Sequence, residues 1–307
     1  MTSYLARRIF FAIFVLWGAV SIIFLVLRLV PGDPAIVLLG PDASSEEIAR
    51  LRESMGLTEP LLVQYVTYLG DVIRLDFGPS FRLTGDAMSL VFERVPMTLR
   101  LGAVALILAL VIGLPLGVLA ALKVNRFTDR MITVASLIAQ SAPNFWVGLV
   151  FILVFARQFQ LLPSAGAGTW QHLILPAVTL ALPSLALLIR LTRSGLLEVI
   201  HEGYVQNARA KGLRERIVLF RHAVRNALIP LVTVIGLQFG SLVSGTVIVE
   251  TVFAWPGVGR LLMDSISHRD YGIVQAAILL IATSFVFINL IVDVLYGYLD
   301  PRVRLGR

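Results

Sequence analysis

Long apolar runs alternate with short polar ones along this chain, and the runs are too long for the core of a soluble domain. About 20 consecutive apolar residues cross a bilayer as a helix. Six runs reach that length: Ile9–Val30, Thr98–Leu122, Met131–Ala156, Leu173–Leu191, Leu228–Val252 and Ile273–Leu295. The pattern predicts an all-α membrane protein with six transmembrane helices, since hydrocarbon offers no water to satisfy an open backbone. Pro176 and Pro183 interrupt the fourth run, which is expected to be kinked or short. Pro143 is expected to kink the third. Asn144 beside it then faces the bundle interior, lining a path or capping the broken turn.

The polar segments carry their own signals. Residues 31–97 predict a small helical external subdomain between the first two spans. Ser44 and Glu47 form a capping box that opens a helix ending near Gly56. A second N-cap at Thr58 predicts a helix through Tyr68, with Leu61, Leu62, Tyr65, Val66 and Leu69 on one face. Span two carries the small-residue stripe Ala105, Ala109, Gly113, Gly117, Ala121, and span five carries Gly236, Gly240, Ser244. Such stripes let helices approach closely, within one chain or against a second subunit. Gly240, Ser244 and Asn144 are candidates for lining a pathway.

Charge fixes the orientation. Only 15% of the residues are charged and 57% are hydrophobic, yet the net charge is +7. With both termini cytoplasmic, the inner segments hold 16 of the 26 Lys and Arg, while residues 31–97 hold five Arg against ten Asp and Glu. That is the positive-inside asymmetry, so the basic pI near 10.2 reports topology, not a nucleic-acid partner. The Arg7-Arg8 start has no small-x-small cleavage site after its apolar run, and a retained first helix is expected.

Chemistry is sparse. There are no cysteines, and the four histidines form no metal or charge-relay cluster. No phosphate loop, no G-x-S-x-G and no H-E-x-x-H is present, so no catalytic residue is assigned. Arg28, Arg100, Glu250 and Asp293 lie near span ends. An ion-coupled secondary transporter, the alternative reading, wants an ionisable group at mid-span.

The most informative stretch is His201–Pro230, polar and strongly basic between apolar runs. Tyr204–Lys211 predicts a short helix of small and polar residues, stopped by Gly212. Such a helix on the cytoplasmic side is a handle for a partner.

End to end, the chain resembles the inner-membrane permease subunits of ABC importers for dipeptides, oligopeptides, glutathione and nickel. The resemblance rests on Leu29-Val30-Pro31-Gly32-Asp33-Pro34, Asp76-Phe77-Gly78 and Glu93-Arg94-Val95-Pro96-Met97-Thr98. It rests further on Ala208-Arg209-Ala210-Lys211-Gly212-Leu213, Phe253-Ala254-Trp255-Pro256-Gly257-Val258-Gly259-Arg260, Arg269-Asp270-Tyr271 and Asp300-Pro301-Arg302. The general importer loop reads Glu-Ala-Ala, three residues, then Gly; here those positions are Gln206, Asn207 and Ala208.

The resemblance implies a type I ABC importer permease fold: residues 1–30 as the first span, 31–97 outside, and 98–307 as the permease core. A cytoplasmic coupling loop then spans 192–227 and an external re-entrant segment 253–272. Tyr204, Gln206, Ala208, Arg209, Ala210, Lys211 and Gly212 would form the coupling helix against an ATPase, with Arg209 and Lys211 pairing acidic groups there. Phe253, Trp255, Pro256 and Gly257 would form an outer gate or binding-protein contact, with Trp255 at the membrane interface. The partners implied are a second, homologous permease in a heterodimer, two ABC ATPase subunits and an extracytoplasmic substrate-binding protein. ATP and Mg would sit on the ATPases, with no cofactor and no metal on this chain. The location implied is a bacterial cytoplasmic membrane.

Overall fold

The computed structural model describes residues 2–29, 34–39, 43–54 and 56–299. Val30–Asp33 of the first-span exit and Asp300–Arg302 lie outside the described residues. Among the described residues the fold is helical, with one isolated bridge between Pro79 and Asp86. The chain divides into two compact units, one within Met1–Met97 and Pro256–Phe287, the other within Thr98–Trp255 and Ile288–Arg307.

The first unit contains α1 (Thr2–Leu29), α2 (Pro34–Leu39), α3 (Ser45–Ser54) and α4 (Leu61–Arg74). The capping box opens α3 as the sequence predicts. Glu47 N–H donates to Ser44 Oγ at 3.3 Å, and Ser44 N–H donates back to Glu47 Oε2 at 3.0 Å. Gly56, at φ +63°, ends it. The next helix differs from expectation. It opens after Pro60, not at Thr58, and runs past Tyr68 to Arg74. Gln64 Nε2 satisfies the carbonyls of Leu57 and Glu59, so the turn before Pro60 is held without a Thr58 cap. Its inward face is Tyr65, Tyr68, Leu69 and Val72, packed with Phe24 of α1. The Phe24 ring lies 5.3 Å from that of Tyr65 and 5.5 Å from that of Tyr68, and aromatic pairing selects this face. Leu61, Leu62 and Val66 stay exposed, Leu62 at 76%.

The helix α5 (Ala87–Leu122) begins well before the expected Thr98. Its first turns bury Ala87, Met88 and Val91 with Val258, Leu261, Ile273 and Ala277, and that packing carries the helix through Pro96.

In the second unit, α6 (Phe127–Ser141) and α7 (Asn144–Phe151) replace the single third span. The break at Pro143 is far sharper than a kink: Phe127–Ser141 and the arm Asn144–Gln158 are bent by 104°. The arm ends in wider π-helical turns over Ile152–Gln158. Next, α8 (Gln171–Val199) overturns the expectation of a short fourth span. It is continuous over 29 residues through Pro176 and Pro183, and it is more deeply buried than α1, α5 or α13 among the described residues. Packing against α6, α7 and a later helix holds what proline alone would break.

Two short helices follow, α9 (Gly203–Ala210) and α10 (Glu215–Ile217), then π-helical turns at Val218–Val224 lead into α11 (Arg225–Val252). Last come α12 (Val258–Ser267) and α13 (Tyr271–Leu299). Among the described residues, four helical stretches are long and apolar enough to cross a membrane: Arg7–Leu29, Ala87–Leu122, Gln171–Val199 and Tyr271–Val292. The bent pair adds at most a fifth.

The span-two stripe is consumed inside this chain. Ala105, Ala109, Gly113, Gly117 and Ala121 are all buried. A Cβ on Gly117 would lie 2.6 Å from Thr192 Cβ and 2.8 Å from Ile189 O of α8. Gly236 is as tight, with Val292 Cγ2 of α13 at 2.6 Å.

Candidate functional site

The short basic helix forms where the sequence places it. A Schellman turn ends α9: Leu213 N–H donates to Ala208 O at 3.4 Å and Gly212 N–H to Arg209 O at 2.9 Å. Gly212 takes φ +75°, which glycine adopts without the Cβ penalty. Val205 and Ala208 anchor the helix on a cluster with Ala121, Leu196, Val218, Leu219, Ala223 and Ala227. Ala208 is therefore small for the sake of packing within the chain. Tyr204, Gln206, Asn207, Arg209, Ala210, Lys211 and Gly212 remain exposed.

Two of these polar residues are already engaged. Gln206 Nε2 donates to His201 O at 3.0 Å. Arg209 pairs with Glu215, Nη2 to Oε1 at 2.8 Å and Nε to both oxygens at 3.2 Å. Arg209, six residues back, holds the Glu215 carboxyl below its ordinary range. Arg209 thus stiffens the loop, while Lys211 at the end of α9 faces outward.

A second ion pair, which sequence reasoning missed, ties α8 to α6. Arg193, near the end of α8, grips Asp129 with Nε to Oδ1 at 2.7 Å and Nη2 to Oδ2 at 2.9 Å. Asn125, at φ +64°, adds its N–H at 2.9 Å. With Arg193 as the chief cause, the Asp129 carboxyl is lowered to about 2.

The interfacial position expected of Trp255 is not what the structure shows. The end of α11 is a second Schellman turn, with Trp255 N–H on Glu250 O at 2.8 Å and Ala254 at φ +49°. Trp255 is 1% exposed, so it is a core residue and not an interfacial anchor. Phe253 is equally buried, its ring against Gly148 of α7. Gly257 is buried and caps α12, and Pro256 is half-buried. Sequence reasoning also passed over the depth of Glu250, which is wholly buried and accepts from Thr98 Oγ1 at 2.7 Å. Its signal was an acid within an otherwise apolar run.

Asn144 lines a cavity of about 260 Å³ with Gln140, Ser184, Gln238 and Gly245. Gln238 Nε2 donates to Ser184 Oγ at 2.9 Å. Leu180, Pro183 and Leu187 complete a lining that is about half polar and carries no charged side chain. Gly240 is buried outside it, and the side chain of Ser244 lies outside the described residues.

Comparison with known proteins agrees with this geometry. Residues 113–305 match the family described as the binding-protein-dependent transport system inner membrane component. Residues 1–102 match the N-terminal part described for such membrane components. A probable peptide ABC transporter permease of Sinorhizobium fredii is 42% identical over 99% of this chain and 100% of its own length. The dipeptide transport system permease protein of Alkalihalophilus pseudofirmus is 38% identical at the same coverage. A glutathione transport system permease of Escherichia coli is 40% identical over 99% of each chain. In fold, the chain resembles the inward-facing MetNI methionine ABC transporter, with TM-score 0.55, 21% identity, and coverage of 69% of this chain and 97% of that one. The chain, over nearly its whole length, belongs to the inner-membrane components of binding-protein-dependent transport systems.

Proposed function

We propose that this chain forms half of the translocation pathway of an ATP-driven importer for peptides or similar small solutes, and that α9 couples it to an ATPase. The observation that carries this reading is the build of α9. One face is locked to the cluster by Val205 and Ala208, and the other, with Tyr204, Asn207, Ala210 and Lys211, is bare. A rigid anchor with an open outer face suits a helix that must pass motion inward. The cargo class is supported by the names of the peptide, dipeptide and glutathione relatives.

The chain itself is non-catalytic; ATP and Mg belong to the partner ATPases. Six spans with both termini cytoplasmic, residues 31–97 outside, agree with the charge asymmetry. The partners are a second, homologous permease, two ATPases and an extracytoplasmic binding protein. The uncharged cavity at Asn144, Gln140 and Gln238 supports a low-affinity conduit through this part of the chain.

The test is co-purification in mild detergent with an assay of vanadate-sensitive ATP hydrolysis. Ala210→Trp on the bare face should release the ATPase while the permease keeps its unfolding temperature. Retention of ATPase and activity by Ala210→Trp would remove α9 from the interface.

A further inference from the structure

The first unit holds a cleft of about 250 Å³ lined by Arg82, Arg94 and Arg260, with Asp264, His268 and Asp270. We propose that this cleft binds the free carboxylate of a small peptide-like solute, through Arg82 and Arg94. The inference rests on the reading above that this unit's loops face outward.

The two carboxylates in the cleft do not neutralise it. Asp270 is 2% exposed and occupied: Oδ2 accepts from Ser80 Oγ and Phe81 N–H, and Oδ1 from Ile273 N–H at 3.5 Å. Asp264 serves Arg260 at 3.7 Å, a surface pair one helical turn apart. Arg94 is half-buried and makes no ion pair among the described residues.

Arg82 is worse placed than its nearest contact suggests. Its Nη1 lies 3.1 Å from His268 Nδ1, and the same nitrogen lies 2.7 Å from Asp264 O. One ring nitrogen cannot both accept from a guanidinium and donate to a carbonyl. The shorter contact makes Nδ1 the donor, so Arg82 loses His268 as an acceptor. The start of α12 at Gly257 adds its partial positive charge to the same wall.

Two guanidinium groups lining one recess favour a planar, bidentate acceptor, which a carboxylate is. The volume holds about eight waters at roughly 30 Å³ each, room for a carboxylate and the peptide unit behind it. It is small for a folded partner's loop.

Arginine modification tests this without knowing the cargo. The whole transporter, in right-side-out vesicles, is treated with a membrane-impermeant dicarbonyl reagent, and modified arginines are mapped by mass spectrometry. Glycylglycine and its C-terminal amide are the probes, and exposed Arg74 is the internal reference. Glycylglycine should slow modification of Arg82 and Arg94 but not of Arg74, and the amide should protect neither. Arg94→Gln should raise the glycylglycine concentration that half-protects Arg82 by roughly tenfold, the loss of one charge-assisted contact.

Equal protection by the amide, or none by either probe, overturns the proposal. So does protection that needs only the binding protein, which would make its acidic side chains the occupant. Modification of Arg74, Arg82 and Arg94 only in inverted vesicles would overturn the outward placement, whatever glycylglycine does there.

Discussion

Gly117→Ala is the sharpest test of how the second unit is packed. A Cβ there would stand 2.8 Å from Ile189 O and 2.6 Å from Thr192 Cβ. Comfortable contact between such atoms begins near 3.5 Å, so the shortfall is about 0.7–0.9 Å. The oxygen is backbone and cannot swing aside, so α5 and α8 must separate locally. Overpacking of this kind costs about 1–3 kcal/mol. At roughly 2–4 °C per kcal/mol for a domain of this size, unfolding should fall by several degrees. Gly102, on the same helix, is the control: a Cβ there meets nothing within 4 Å. Gly102→Ala should be neutral or stabilising by up to about 1 kcal/mol, from helix propensity alone. The assay is tryptophan fluorescence during heating of the purified protein, which has four tryptophans. Equal unfolding temperatures for the two variants would refute the close α5–α8 contact and return the stripe to an interface with another subunit.

Three further outcomes follow from the site. The Asp129 carboxyl, held near 2, lies below its unfolded value of about 3.9, so its stabilisation is complete above about pH 4 and is lost as pH falls toward 2. Thermal melts should therefore show Asp129→Asn less stable near neutrality, with the gap to the natural protein closing in acid; a gap constant with pH refutes the ion-pair account. Gly212→Ala meets open space, so its cost is only the left-handed backbone, about 1–2 kcal/mol, and Gly212→Asn should cost less; equal melts for both would show the turn had rearranged. Gln238→Leu removes the bond to Ser184 and a polar wall of the cavity, and should lower uptake of labelled dipeptide by the reconstituted transporter while leaving ATPase co-purification intact; unchanged uptake would take the cavity off the pathway.

What the sequence determined by itself was local or global, with little between. The capping box at Ser44 and Glu47 and the glycine stops at Gly56 and Gly212 are read correctly, because a helix end is decided by hydrogen bonds within a few residues. The membrane class follows from composition, and the charge asymmetry supports the proposed orientation, since both sum over the whole chain. Tertiary structure decided the rest. Pro183 passes within an unbroken α8, yet Pro143 sits at a 104° bend, and only the neighbours distinguish the two. Trp255 looks like an interfacial anchor until α11 ends in a turn that buries it, and Arg209 looks available to a partner until Glu215 is found beside it. Burial and pairing of this kind depend on which segments converge in space, and a period or a motif along one segment carries no information about what arrives from another.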